Sequence, residues 1–147
     1  MALFKQWDER MQRQVLIGTG RVIADSEGVA KKMTKVNDTD KITFSVMTAY
    51  SKETKNKDEP NYEIVPLAVY NFRNIDAMFE IAQTINKGDY VFFVGWLYQS
   101  VYLDRNGKQR KFIEVRVEWL QRAADLVIGM TKGKQITTTT KKQDDWF

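Results

Sequence analysis

At 147 residues the chain suits one domain with a sizeable core and a tail. It has no cysteine and no histidine, which excludes a disulfide scaffold and thiol chemistry and removes the commonest general base and metal ligand. The net charge of +4 permits a polyanionic partner without demanding one.

No apolar run approaches a membrane span, and the opening Met1-Ala-Leu-Phe-Lys-Gln-Trp7 lacks a signal peptide's apolar stretch. The expectation is a soluble cytoplasmic protein with no membrane role. Leu3, Phe4, Trp7, Met11 and Val15 recur at roughly helical spacing. They predict a short amphipathic helix over the chain's own fold, or an arm packing on a neighbouring subunit. Gln14–Ile23 reads as a first strand. Its Gly18-Thr19-Gly20 lacks the third glycine of a dinucleotide fingerprint and suits a sharp bend instead. Asp25–Asp40 reads as loop, with a strand continuation near Lys31–Val36.

Lys41–Tyr50 is a second strand with Ile42, Phe44 and Val46 inward. Simple alternation puts Tyr50 on that inward face unless a bulge turns it out. Lys52–Asn61 is a polar loop whose lysines are offset by Glu53, Asp58 and Glu59. Tyr62–Tyr70 is a third strand, where Pro66, lacking an N–H, implies an edge or bulge. Ile75, Met78, Phe79, Ala82 and Ile85 then keep helical period, with Asn74 to cap the helix and Gly88 to end it.

Two longer runs follow, Tyr90–Leu103 and Lys111–Leu120, rich in Tyr, Phe, Val and Trp and joined across Asn106-Gly107. They predict an antiparallel hairpin. Alternation places Val91, Phe93, Gly95, Leu97, Val101 and Leu103 on a core face, with Ile113, Val115, Val117 and Trp119 from the return strand. Trp96, Tyr98 and Tyr102 lie on the other face, with Glu114, Arg116 and Glu118. At about 3.3 Å per residue the outgoing strand spans roughly 45 Å, too tall for a small barrel, so it bends at Gly95 or its outer half projects. That outer half is tipped by Arg105, Lys108, Arg110 and Lys111. Rings beside a basic rim suit a single nucleic-acid strand, whose bases stack while its phosphates pair. After Arg122 periodicity fades into a flexible, Lys- and Thr-rich tail ending Asp144-Asp145-Trp146-Phe147.

Three strands, a helix and two strands describe an all-β domain with one helix, an OB-fold five-stranded Greek-key barrel with a long projecting hairpin and a flexible C-terminal tail. The divisions are an N-terminal extension (1–13), the barrel (14–122) and the tail (123–147). At Ile42–Tyr50, Lys87–Tyr102 and Asp144–Phe147 the chain resembles the bacterial and phage single-stranded DNA-binding proteins of the SSB family. The resemblance implies base stacking at Tyr50, Tyr62 and Tyr102, and it turns Tyr50 outward. It also implies recruitment of replication and repair proteins by Asp144, Asp145 and Phe147, with Trp146 standing where the family has Ile-Pro.

The combined expectation is a non-catalytic binder of single-stranded DNA in a bacterial cell or phage-infected host, in a homodimer or homotetramer. Tyr50, Tyr62, Trp96, Tyr98 and Tyr102 stack bases. Lys52, Arg105, Lys108, Arg110, Lys111 and Arg116 hold phosphates, and no metal or cofactor is needed. The rival readings are an OB-fold RNA-binding module and a barrel adaptor using its rings as protein anchors.

Overall fold

A computed structural model describes residues 3–49 and 62–124. Seven strands form one sheet: β1 (Leu3–Asp8), β2 (Arg13–Ile23), β3 (Lys31–Val36), β4 (Thr39–Ala49), β5 (Tyr62–Tyr70), β6 (Tyr90–Leu103) and β7 (Gln109–Arg122). An α-helix, α1 (Asp76–Gln83), lies between β5 and β6. The sheet order is β1-β2-β6-β7-β5-β4-β3, and a further β2–β4 pairing closes β2, β6, β7, β5 and β4 into a ring. This is the five-stranded barrel with a helix between its third and fourth strands, an OB-fold. The interior holds Leu16, Val22, Phe44, Val46, Leu67, Val91, Phe93, Val115 and Leu120, and α1 adds Phe79 and Ala82 to the same cluster.

β1 and β3 are additions to the ring; β1 differs from the sequence reading, while β3 is the strand expected near Lys31–Val36. The N-terminal segment is an antiparallel strand on β2, running from Leu3 opposite Gly18 to Asp8 opposite Arg13. It is not a helix. Closure by β4 uses only Arg21–Ile23 of that β2 edge, so the first half of the edge is open for β1 to pair with. Lys5 then bridges to Glu63 of β5 at 3.0 Å. β3 is a full strand paired with β4 through a two-residue turn in which Asn37 and Asp38 both have positive φ, the geometry that matches strand twist.

Two predicted helix boundaries also move. Asn74 does not cap α1; it lies inside a 3-10 turn, Arg73–Ile75, and no side chain caps the helix. Gly88 does not end the helix, which closes at Thr84. Gly88 instead turns the chain into β6, its N–H donating to the Val22 carbonyl at 2.9 Å.

The β6–β7 hairpin is paired from Val91–Arg122 to Leu103–Gln109, with a bulge between Val94 and Gly95. A Cβ on Gly95 would lie 2.6 Å from the Arg116 carbonyl oxygen and 2.8 Å from Val115 Cγ1, so only glycine lets the strands approach here. The bulge corrects a face assignment. Beyond it β7 shifts by one residue, so Trp119 faces Val94 on the outer surface, 47% exposed, and Leu120 takes the buried place. The barrel continues past the bulge, where Trp96 still pairs with β2 and Val115 and Arg116 with β5, and the hairpin leaves it beyond Tyr98. Val101 and Leu103, expected in the core, are 60% and 71% exposed.

The hairpin turn is not the two-residue Asn-Gly turn that the motif suggests. Only Gly107 has positive φ, and Asp104 organises the loop. Its carboxylate accepts the backbone N–H groups of Asn106 and Lys108, each at 2.9 Å.

Candidate nucleic-acid interface

Directly paired residues in antiparallel strands share a face. Trp96 is opposite Arg116, Tyr98 opposite Glu114, Ser100 opposite Phe112 and Tyr102 opposite Arg110. The outer face of the hairpin is therefore a ladder of rings on one strand against charges and a ring on the other. β5 extends it: Ala68 pairs with Arg116. Tyr70, two residues on, shares Ala68's face and stacks on Phe72 with ring centroids 5.3 Å apart and planes within 7°.

Cations are threaded between these rings. The Arg116 guanidinium carbon is 3.8 Å from the Tyr98 centroid, 5.2 Å from Tyr70 and 5.4 Å from Trp96. Arg13 of β2 lies 5.2 Å from the Trp96 ring, and Lys41 of β4 lies 5.3 Å from Tyr70 and 5.1 Å from Phe112. Tyr98 meets Trp96 and Phe112 edge-on, each with centroids 6.3 Å apart. Such contacts hold a ring and a guanidinium in defined orientations.

Beneath the rings sits Glu114, only 3% exposed. Its Oε1 accepts from Lys41 Nζ at 2.7 Å; its Oε2 accepts from the Tyr70 hydroxyl at 2.5 Å and Arg116 Nε at 3.1 Å. Burial alone would raise the Glu114 pKa, but the hydrogen bonds from Lys41, Tyr70 and Arg116 outweigh it and hold the group below its ordinary value. For Lys41 burial works to lower the pKa, and the bond to Glu114 prevails and raises it. Tyr70 is raised by burial and by its bond to the carboxylate. At neutral pH the cluster is one carboxylate between two cations.

A cleft of 340 Å³ opens beside this cluster, lined by Lys41, Ser45 and Pro66 of the barrel, Phe112 and Glu114 of the hairpin, and the β2–β3 connection. It exists because β5 and β7 pair only at Leu67–Val115 and Ala68–Arg116 before separating. Pro66 sits next to that short pairing, where a missing N–H costs the ladder little.

The predicted site residues divide accordingly. Trp96, Tyr98 and Arg116 come together at the centre. Tyr102, 51% exposed, and Arg110 lie farther out on the same face, Arg110 tied to Asp104 at 3.0 Å. Arg105 and Lys108 are exposed at the turn. Lys111 pairs with Val101, so it lies on the opposite, aliphatic face of the ribbon from Tyr98 and Tyr102. Tyr62, 52% exposed on the outer face of β5, takes no part in the ring and cation contacts at the hairpin. Tyr50, Lys52, Asp144, Asp145, Trp146 and Phe147 lie outside the described residues.

Sequence reasoning missed Arg13, Lys41, Tyr70, Phe72 and Phe112. Alternation from Tyr62 along β5 would have found Tyr70, and alternation from Arg116 would have found Phe112. Nothing local marks Lys41 or Arg13. Among the described residues no cluster of acidic side chains could hold a metal ion, and no helix is long and apolar enough to cross a membrane.

The sequence matches no known family and no curated protein. Among solved structures it is similar to a Plasmodium falciparum SSB in complex with ssDNA, with a TM-score of 0.55 and 18% identity over 74% of this chain and 90% of that one. At that identity the likeness establishes the fold, in agreement with the strand order.

Proposed function

We propose that the protein binds single-stranded DNA along the outer face of β6, β7 and β5, stacking bases on its rings and holding phosphates with Arg116 and the basic hairpin. The observation that carries this is the guanidinium of Arg116 set among Tyr98, Trp96 and Tyr70 on a partly exposed sheet face. A dry core has no use for a cation there, whereas a strand of alternating bases and phosphates matches alternating rings and cations. The SSB in complex with ssDNA that shares the fold supports the same ligand. On this reading the chain is a binder rather than a catalyst, and Tyr50, Lys52 and Tyr62 would contribute further contacts to the strand.

The finer roles belong to the proposal too: protection of exposed strands in replication, recombination or repair, in a cytoplasmic homo-oligomer. Asp144, Asp145, Trp146 and Phe147 would contact partner proteins. Titrating tryptophan fluorescence with oligo-dT and oligo-U tests the core of it. Tight, salt-dependent quenching favouring oligo-dT is expected. A preference for oligo-U would move the protein to RNA, and no response to either would leave the rings as protein anchors.

A further inference from the structure

We infer that Glu114 is a positioning residue of this interface: from beneath the rings it fixes the Arg116 guanidinium in the orientation a phosphodiester requires. The inference rests on the single-strand reading above. A carboxylate so deeply buried is costly to desolvate, and an apolar side chain would fill the same space more cheaply. Glu114 nevertheless ties together three elements at once: Lys41 of β4, Tyr70 of β5 and Arg116 of its own strand. Through those partners it reaches every ring at the centre, since Arg116 lies against Tyr98, Trp96 and Tyr70, and Lys41 against Tyr70 and Phe112.

The geometry at Arg116 gives the role its meaning. The guanidinium spends Nε on Glu114 and one planar face on Tyr98. Its two Nη groups make no hydrogen bond among the described residues. A guanidinium held in this way presents its paired donors as a fixed fork, the geometry that suits phosphate. The ordering entropy is already lost before the ligand arrives.

This role and plain electrostatics predict opposite signs for one substitution. Glu114→Gln removes a negative charge from the middle of a polyanion site. On charge alone the variant binds DNA more tightly. If Glu114 acts by positioning, it binds more weakly in spite of its extra positive charge.

The test uses the full chain and a short fluorescent oligo-dT, read by anisotropy, with circular dichroism to confirm the fold. Folded Glu114→Gln is expected to bind about tenfold or more weakly, the usual scale for removing a charge-assisted hydrogen bond. Equal or tighter binding overturns the inference. Should Glu114→Gln fail to fold, Arg116→Lys answers the question, because it keeps the charge and loses the fork. It is expected to bind weakly to a similar degree, and wild-type affinity would overturn the idea. A third readout needs no nucleic acid. Nitrogen-15 relaxation of the Arg116 Nε–Hε group should show order close to that of the backbone, and a freely moving guanidinium would refute the positioning role. Failure of the wild-type chain to bind any single strand, with Arg116 rigid, would instead refute the functional reading on which the role depends.

Discussion

The two halves of the β6–β7 hairpin carry similar residues under different physical conditions. In the half that belongs to the barrel, Trp96 and Tyr98 are half-buried, and each lies against an arginine held by carboxylates: Arg13 by Asp8 and Glu118, Arg116 by the buried Glu114. In the half that projects, Tyr102 is exposed and its cross-strand partner Arg110 is held only by the turn's own Asp104. Inner rings are ordered before any ligand arrives; outer rings must be ordered by it, at an entropic cost. If the chain binds a single strand as proposed, the inner half should set affinity and geometry. On the same proposal, the outer half should add reach and charge.

The inner half depends on Gly95, where β7 and Arg116 approach β6 most closely, and the largest effect is expected there. Gly95→Ala would push a methyl into the Arg116 carbonyl and Val115, forcing β7 to shift at a cost of about 1–3 kcal/mol, as overpacking does. Melting should fall, and DNA affinity should fall with it because Arg116 is displaced. Unchanged melting would mean that the bulge is not constrained as described.

Next come the rings. Tyr98→Ala and Tyr102→Ala should each weaken oligo-dT binding by about 1–3 kcal/mol, the scale of one base stacked on one ring. Only Tyr98→Ala should also lower the melting temperature, because Tyr98 covers Arg116 and meets Phe112. Equal thermal effects would erase the distinction between the halves.

The charge comparison is sharper still, because the corrected register separates neighbouring residues. Arg105→Ala with Lys108→Ala should make the log–log salt slope shallower by about 0.7 for each phosphate that is no longer neutralised. Lys111→Ala, on the aliphatic face with Val101, should change it less. A larger effect at Lys111 would put the strand on the other face of the ribbon.

The smallest effect concerns pH and the inner half alone. Glu114 has a depressed pKa, so its stabilising contribution is complete above the ordinary value of 4.5 and is lost as pH falls through the lower folded value. Lys41, raised above 10.5, contributes below that value and loses its contribution as pH rises through the higher folded one. The melting gap between wild type and Glu114→Gln should be constant near neutrality and shrink in acid below pH 4.5. A gap that persists at low pH would mean that the carboxylate's charge is not what holds the cluster.

Much of the architecture was legible because it rests on local rules. Alternation in Tyr90–Leu103 identified the outer face of the hairpin, and Gly95 marked its bend. Tyr62–Tyr70 was read with the bounds it has. β1 was misread for an equally local reason. A six-residue edge strand with Phe4 and Trp7 both exposed shows no alternation of burial, and its apolar residues happen to match a 3.6 period. Val101 and Leu103 obeyed alternation, yet the core they were assigned to ends before it reaches them.

What the sequence by itself determined is which segments other than β1 are strands, where most of them turn and which rings of the hairpin share a face, since these follow from side-chain type and a period of two. Only the tertiary structure decided how the face works. Lys41, Tyr70 and Glu114 are separated by 29 and 44 residues in the chain, and no local pattern links them. Their meeting requires barrel closure, with β4 beside β5 and β5 running parallel to β7. A charge can be buried there only because that closure brings its partners with it.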